Sequence, residues 1–185
     1  YIFKESKFKI VNKIEDVGYH DFYQHLLTLP KIYFEKENKF CKRINYLPNN
    51  HENDLKWKIK LNKLKKTKIG LAWQGNKKFL GDKKRSIPLI KLDKIILNNN
   101  FDVISLQKDS GLEQIKNNYK NKIYDFSSEL DLTNEAFKDT ISILKNVDFL
   151  ITIESSIAQL AGTMGIKTYL LLSYNPYWIW YSEQE

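Results

Sequence analysis

The stretch VDFLITIESSIAQLAGTMG, Val147 to Gly165, decides the fold. Val147 to Ile153 is a short, mostly apolar run broken only by Asp148 and Thr152, the composition of a strand buried on both faces of a parallel sheet. Glu154, Ser155 and Ser156 interrupt it, and Ile157 to Met164 continues in small and apolar residues towards Gly162 and Gly165. The pattern predicts strand, polar turn and helix, with Gly162 closely packed and a cap at Gly165. Such a turn lies at the carboxyl end of a parallel strand, where hydroxyls and free N–H groups at a helix N-terminus can hold a phosphate. Ser155 or Ser156 would equally serve as a plain helix cap, and the segment alone leaves both readings open.

Working outward, the same alternation runs through the whole of Lys68 to Leu172. Ile69 to Trp73 reads as a buried strand ended by Gln74-Gly75-Asn76, and a basic loop from Lys77 to Lys84 follows. Arg85-Ser86-Ile87-Pro88 then opens a helix over 89–97, with Pro88 near its N-terminus. Phe101 to Leu106 is the next strand, with Gln107 and Lys108 just past its end, and a short helix over 112–117 and a strand over 123–126 come after it. A helix over 131–145, capped by Asp131 or Thr133, carries Ala136, Phe137, Ile141 and Leu144 on one face. The final strand is Thr168 to Leu172. Strands alternating with helices predict an α/β, Rossmann-like doubly wound parallel sheet, and no internal repeat competes with that assignment.

The part before Lys68 is less regular. Phe8, Ile10 and Val11 are the best strand candidates near the start. DFYQHLLTLPKIYF, Asp21 to Phe34, predicts a loop entering a helix over 22–29 that breaks at Pro30, and Asp21 or His25 could face an acceptor. Pro48-Asn49-Asn50 marks a loop. Leu55, Ile59, Leu61 and Leu64 outline a weak amphipathic helix, and the domain boundary is placed there. The expected organisation is the end of an N-terminal domain over 1–54, a linker over 55–67 and a Rossmann-like domain over 68–185.

With 185 residues the chain is too short for two complete nucleotide-binding domains. It opens on Tyr1 rather than Met and stops just after the aromatic run Tyr174 to Tyr181, so the expectation is a piece of a longer protein, inactive alone. The net charge of +8 invites a polyanion partner, but nearly all of it is lysine, Arg43 and Arg85 being the only arginines. Those lysines are spread among Asn and Ile, and the densest run, Lys56 to Lys68, suits a solvated face. Nucleic acid is therefore not the expected partner. A single cysteine, Cys41, excludes an intramolecular disulfide and predicts a reducing, cytoplasmic compartment. No apolar segment is long enough to span a membrane, and His20, His25 and His51 lack metal-site spacing.

Neither a G-x-G-x-x-G nor a Walker A sequence is present. Arg85, at the start of its helix, could clasp a diphosphate with its planar guanidinium. Glu129-Leu130-Asp131 precedes a helix, where acidic residues act as caps, so it is not taken as a metal site.

Three segments together carry a resemblance: IGLAWQGNKKFLGDKKRSIPLIKL, then ISLQK, then LKNVDFLITIESSIAQLAGTMGIKTYLLLSYNPYWIW. In order and spacing they resemble the C-terminal domain of heptosyltransferase-type glycosyltransferases. They are closer still to the glycosyltransferase-like region that follows tetratricopeptide repeats in many bacterial proteins. The resemblance implies the donor half of a GT-B architecture, in which two Rossmann-like domains face each other across a cleft. It implies a nucleotide-diphosphate sugar as donor substrate, an unknown glycan, lipid or protein as acceptor, and neither a cofactor nor a metal. Gly75 and Asn76 match the turn after the first strand. Arg85, followed by Ser86, matches the basic residue that meets the donor phosphates and is the catalytic candidate. Gln107 and Lys108 lie where the nucleotide is approached, and Ser155 and Ser156 match positions whose N–H groups meet the diphosphate. Glu154 fills an acidic position, Asp in most members, and is expected to accept from a hydroxyl. Gln159 departs from the family's His; it can donate a hydrogen bond but cannot carry positive charge or relay a proton. That departure motivates an alternative, a ligand-binding module that kept the fold and lost its chemistry.

Overall fold

The computed structural model describes residues 11, 13–25, 28–37, 47–132 and 135–180. The strand candidates Phe8 and Ile10, Leu26 and Leu27 within the helix expected over 22–29, and the cap candidate Thr133 lie outside the described residues.

Five parallel strands form one sheet: β1 (Thr67–Ala72), β2 (Phe101–Ser105), β3 (Ile123–Asp125), β4 (Phe149–Ile153) and β5 (Thr168–Leu171), in the order β3-β2-β1-β4-β5. β1 is central, paired with β2 through Ile69 opposite Val103 and with β4 through Leu71 opposite Ile151. Among the described residues, seven α-helices accompany it: α1 (Leu29–Glu37), α2 (His51–Leu61), α3 (Asp82–Arg85), α4 (Asp93–Ile96), α5 (Leu112–Asn118), α6 (Lys138–Leu144) and α7 (Ser156–Met164). A 3-10 turn over Leu89–Leu92 runs directly into α4, so the helical stretch expected over 89–97 is present as two fused pieces.

Strand alternation divides the core in two. Ile69, Leu71, Trp73, Val103 and Ile151 pack beneath Leu89, Leu92, Ile96 and Ile115 on one face. Ala72, Ile104 and Leu150 pack against Trp57 and Leu61 of α2, Ile141 and Leu144 of α6 and Leu160 of α7 on the other. Helices on both faces explain why the strands read as nearly unbroken apolar runs. The fold is the expected α/β, Rossmann-like doubly wound sheet.

Local details differ from the sequence expectations in ways the chemistry explains. The helix expected over 22–29 is instead α1, Leu29–Glu37, and Pro30 sits in its first turn. There the missing N–H has no intrahelical partner to lose, so proline starts this helix rather than breaking it. α6 begins at Lys138, not Asp131, because Phe137 takes a left-handed conformation at φ 67° just before it. Asp131 still caps that helix from a distance, its Oδ1 accepting from Asp139 N at 2.6 Å. Gly162 is exposed, and a Cβ placed there meets nothing within 4 Å, so close packing does not account for it.

Residues 55–67 form most of α2 and the entrance to β1. The inward face of α2 is Asn53, Trp57 and Leu61, while Leu55 and Ile59 are more than half exposed. Polar ties fix that face: Asn53 Nδ2 donates to Ser142 Oγ at 3.0 Å, and Trp57 Nε1 donates to Asp139 Oδ1 at 2.6 Å.

Candidate functional site

In sheet order, β1 and β4 are neighbours whose following connections leave on opposite faces, and the crevice outside their carboxyl ends is where open α/β sheets bind ligands. The loop after β1 and the β4–α7 turn meet there. They build two adjoining pockets of about 510 Å³ and about 650 Å³ that share Arg85, Ser155 and Ser156 as a common ridge. Glu154 and Gln159 line the smaller pocket, together with Phe79, Lys84 and the aromatic pair Tyr177 and Trp180. Gly75, Asn76, Gln107 and Lys108 line the larger, with Lys77, Lys78 and Asp131. Of the donor-side residues named in the resemblance, all but Ser86 therefore line one pocket or the other. Ser86 sits behind the wall, its Oγ accepting from Gly75 N at 3.0 Å. Asp21 and His25 are exposed and line neither pocket.

Arg85 is not at a helix start. It closes the short helix α3, and its side chain is three-quarters buried. Nη1 donates to the Glu154 carbonyl at 2.8 Å, Nε lies 3.4 Å from Asp82 Oδ1, and the guanidinium sits 4.9 Å over the Phe79 ring. A carboxylate, a carbonyl and an aromatic face hold the fork in place without consuming all five of its donors. Asp82 and Phe79 escaped the sequence reading; an acid three residues before Arg85 was the available signal, once a helix was assumed there.

The N-terminus of α7 faces the same ridge. Ser155 occupies its N-cap position at φ −151°, ψ 169°, yet makes no side-chain capping bond; its Oγ lies 3.3 Å from Thr152 Oγ1. The plain-cap reading of Ser155 is thus not what the structure has. Ser155 and Ser156 line both pockets, so the helix end, where unpaired N–H groups carry partial positive charge, borders them.

Three other candidates are engaged by the chain itself. Gln107 is 7 % exposed and spans both main-chain groups of Gln74, accepting from its N–H at 3.3 Å and donating to its carbonyl at 2.7 Å. Lys108 Nζ donates to the Asp131 carbonyl. Glu154 is 6 % exposed and accepts from the backbone N–H of Ser173 and of Tyr177, each at 2.9 Å. Burial pushes the Glu154 carboxyl up, but those N–H bonds and the Arg85 charge outweigh it and hold the carboxyl below its ordinary value. On the wall of the larger pocket the opposite holds: burial raises Asp131 against the bonds it accepts from Thr140 and Asp139. Gln159 is exposed near the start of α7.

Among the described residues no group of three or more His, Cys, Asp or Glu could hold a metal ion, and no helix is long and apolar enough to cross a membrane. The fold and the crevice define a Rossmann-like α/β domain with a lysine- and arginine-lined cleft at its topological switch point. In comparisons with protein-family models, curated proteins and solved structures, nothing matches this chain.

Proposed function

We propose that this chain is the donor-side half of a GT-B glycosyltransferase, holding a nucleotide-diphosphate sugar from which a sugar passes to an acceptor brought by a second domain. The observation that carries the reading is the ridge between the two pockets, where the Arg85 guanidinium and the uncapped start of α7 converge. A diphosphate set on that ridge meets positive charge from both sides, and the two pockets leave room for a nucleoside and a sugar on either hand. The chemistry asked of these groups is electrostatic. As the bond to the sugar breaks, negative charge grows on the departing diphosphate, and a fixed guanidinium and helix dipole stabilise it without reorganising. Both work best with water excluded, which an opposing domain would supply.

Calorimetric titration of the chain with UDP, GDP and ADP tests this. Saturable binding of one nucleotide that is lost in Arg85→Ala is the expected result, and it identifies the base. Failure of all three to bind at millimolar concentration removes the reading.

A second reading, a module that binds such a ligand without transferring the sugar, is favoured by Gln159, which lines the smaller pocket where a charged or proton-relaying group would serve catalysis. Measured with the opposing domain present, donor turnover that appears or rises in Gln159→His assigns the chain to the enzymes; unchanged, absent turnover with intact binding assigns it to the binders.

A further inference from the structure

Glu154 follows β4 directly, so its backbone is fixed by the middle of the sheet. Its two carboxylate oxygens take the N–H groups of Ser173 and Tyr177, four residues apart, and so fix both ends of the turn that leaves β5. Within that turn Ser173 Oγ donates to the Asn175 carbonyl at 3.0 Å, and Trp180 N then donates to Tyr177 O in the 3-10 turn Trp178–Trp180. Asn175, Pro176, Tyr177 and Trp180 form one wall of the smaller pocket. The carbonyl of the same Glu154 accepts from Arg85 Nη1, so a single residue joins the aromatic wall to the guanidinium on the ridge.

We infer that Glu154 is a positioning residue: it holds the Ser173 to Tyr177 turn and Arg85 in register across the smaller pocket and makes no contact with the ligand itself. Two observations carry this. Both oxygens already have donors within the chain, and the side chain is almost wholly withdrawn from solvent although it lies at the pocket's edge. Each carboxylate oxygen can accept a second bond, but a ligand hydroxyl could reach it only from the cavity, and Glu154 is 6 % exposed. Two N–H donors aimed at one buried side chain also demand an ionised acid, because an amide offers an acceptor to one of them and a donor to the other.

The test has two arms. Amide hydrogen exchange, followed by NMR in the wild type and in Glu154→Gln, reads the latch directly. The variant is expected to lose protection at Ser173 or Tyr177 by about tenfold or more, while Ile151 in β4 keeps its protection and shows that the sheet is intact. Glu154→Asp, which keeps the charge but falls one methylene short, is expected to lose protection at one of the two amides. Unchanged exchange at both amides in both variants overturns the inference. The ligand arm rests on the donor-site reading and uses a double-mutant cycle of Glu154→Gln with Tyr177→Ala in titrations with UDP, GDP and ADP. Losses that fail to add are expected if Glu154 acts through the wall, and strictly additive losses mean that it touches the ligand itself and overturn the inference. If none of the nucleotides binds, the donor-site reading fails, and the exchange arm still decides the role of Glu154.

Discussion

Gly75 and Arg85 lie so close that a Cβ on Gly75 would sit 2.5 Å from Arg85 Nη2 and 2.2 Å from Asp82 Oδ1. The absence of a side chain at the end of β1 is therefore a condition for the guanidinium to occupy the ridge. In Gly75→Ala the atoms that must give way are the flexible ends of Asp82 and Arg85, not the backbone, so the strain falls on the site rather than on the fold. The expected outcome is a thermal midpoint close to that of the wild type, with nucleotide affinity lowered at least about tenfold, or ~1.4 kcal/mol. Calorimetry and a circular dichroism melt on the same sample check it; unaltered affinity would mean that Arg85 is not a ligand contact.

Trp57 ties α2 to α6. Its ring is fully buried, meets Phe126 edge-on with centroids 5.3 Å apart, and donates through Nε1 to Asp139. Asp139 is held below its ordinary value because this bond, the Asp131 N–H and the Lys56 charge outweigh the effect of its burial. Trp57→Phe keeps much of the apolar contact but removes this donor and strands the Asp139 carboxylate. A loss of about 1–3 kcal/mol is expected from a bond to a buried charge. Urea denaturation measures it, and the loss should shrink in an Asp139→Asn background, where no charge is left to strand.

The strands and helices between β1 and β5 were legible because burial on both faces writes itself as short apolar runs separated by polar turns, as in Phe149 to Ile153. The position of the cleft followed, since the carboxyl ends of β1 and β4 are fixed once the strands are. What the residues in that cleft bond to was not legible. Gln107 reaches back to Gln74 and Glu154 reaches forward to Tyr177, partners 33 and 23 residues away, and no periodicity encodes such pairings. The inner face of α2 was missed for a related reason. Asn53 stands where an apolar residue would have marked the stripe, and its hydrogen bonds to Ser142 and the Lys138 carbonyl do the work that burial of a leucine would do.

The role of Gln107 separates two expectations. A residue that meets a nucleotide would, when replaced, weaken binding and leave stability alone. The structure instead has its amide continuing the β1–β2 pairing past Ala72, one donor and one acceptor matched to the main chain of Gln74. Gln107→Leu leaves both of those groups without a protein partner and is expected to cost about 1–3 kcal/mol in urea denaturation. Gln107→Glu should be no better, since it keeps the acceptor for Gln74 N–H but sets a carboxylate oxygen against the Gln74 carbonyl. A stable Gln107→Leu with weakened nucleotide binding would restore the ligand-contact role.

Two glycines three residues apart in the α7 segment should respond to alanine with opposite signs. Gly165 has φ 71°, and the bonds Ile166 N to Ala161 O at 2.9 Å and Gly165 N to Gly162 O at 3.1 Å close the helix in a Schellman motif. A Cβ there meets the chirality penalty of the left-handed region, so Gly165→Ala is expected to destabilise by about 1 kcal/mol. Gly162 lies inside the helix with open space where its Cβ would be, so alanine gains helix propensity without a clash. An increase of up to about 1 kcal/mol is expected for Gly162→Ala, with the smaller values favoured near a helix end. Thermal melts of the two variants give the comparison. Because a Cβ at Gly162 would meet nothing within 4 Å, a destabilising Gly162→Ala would overturn the expectation that helix propensity decides the sign at this position.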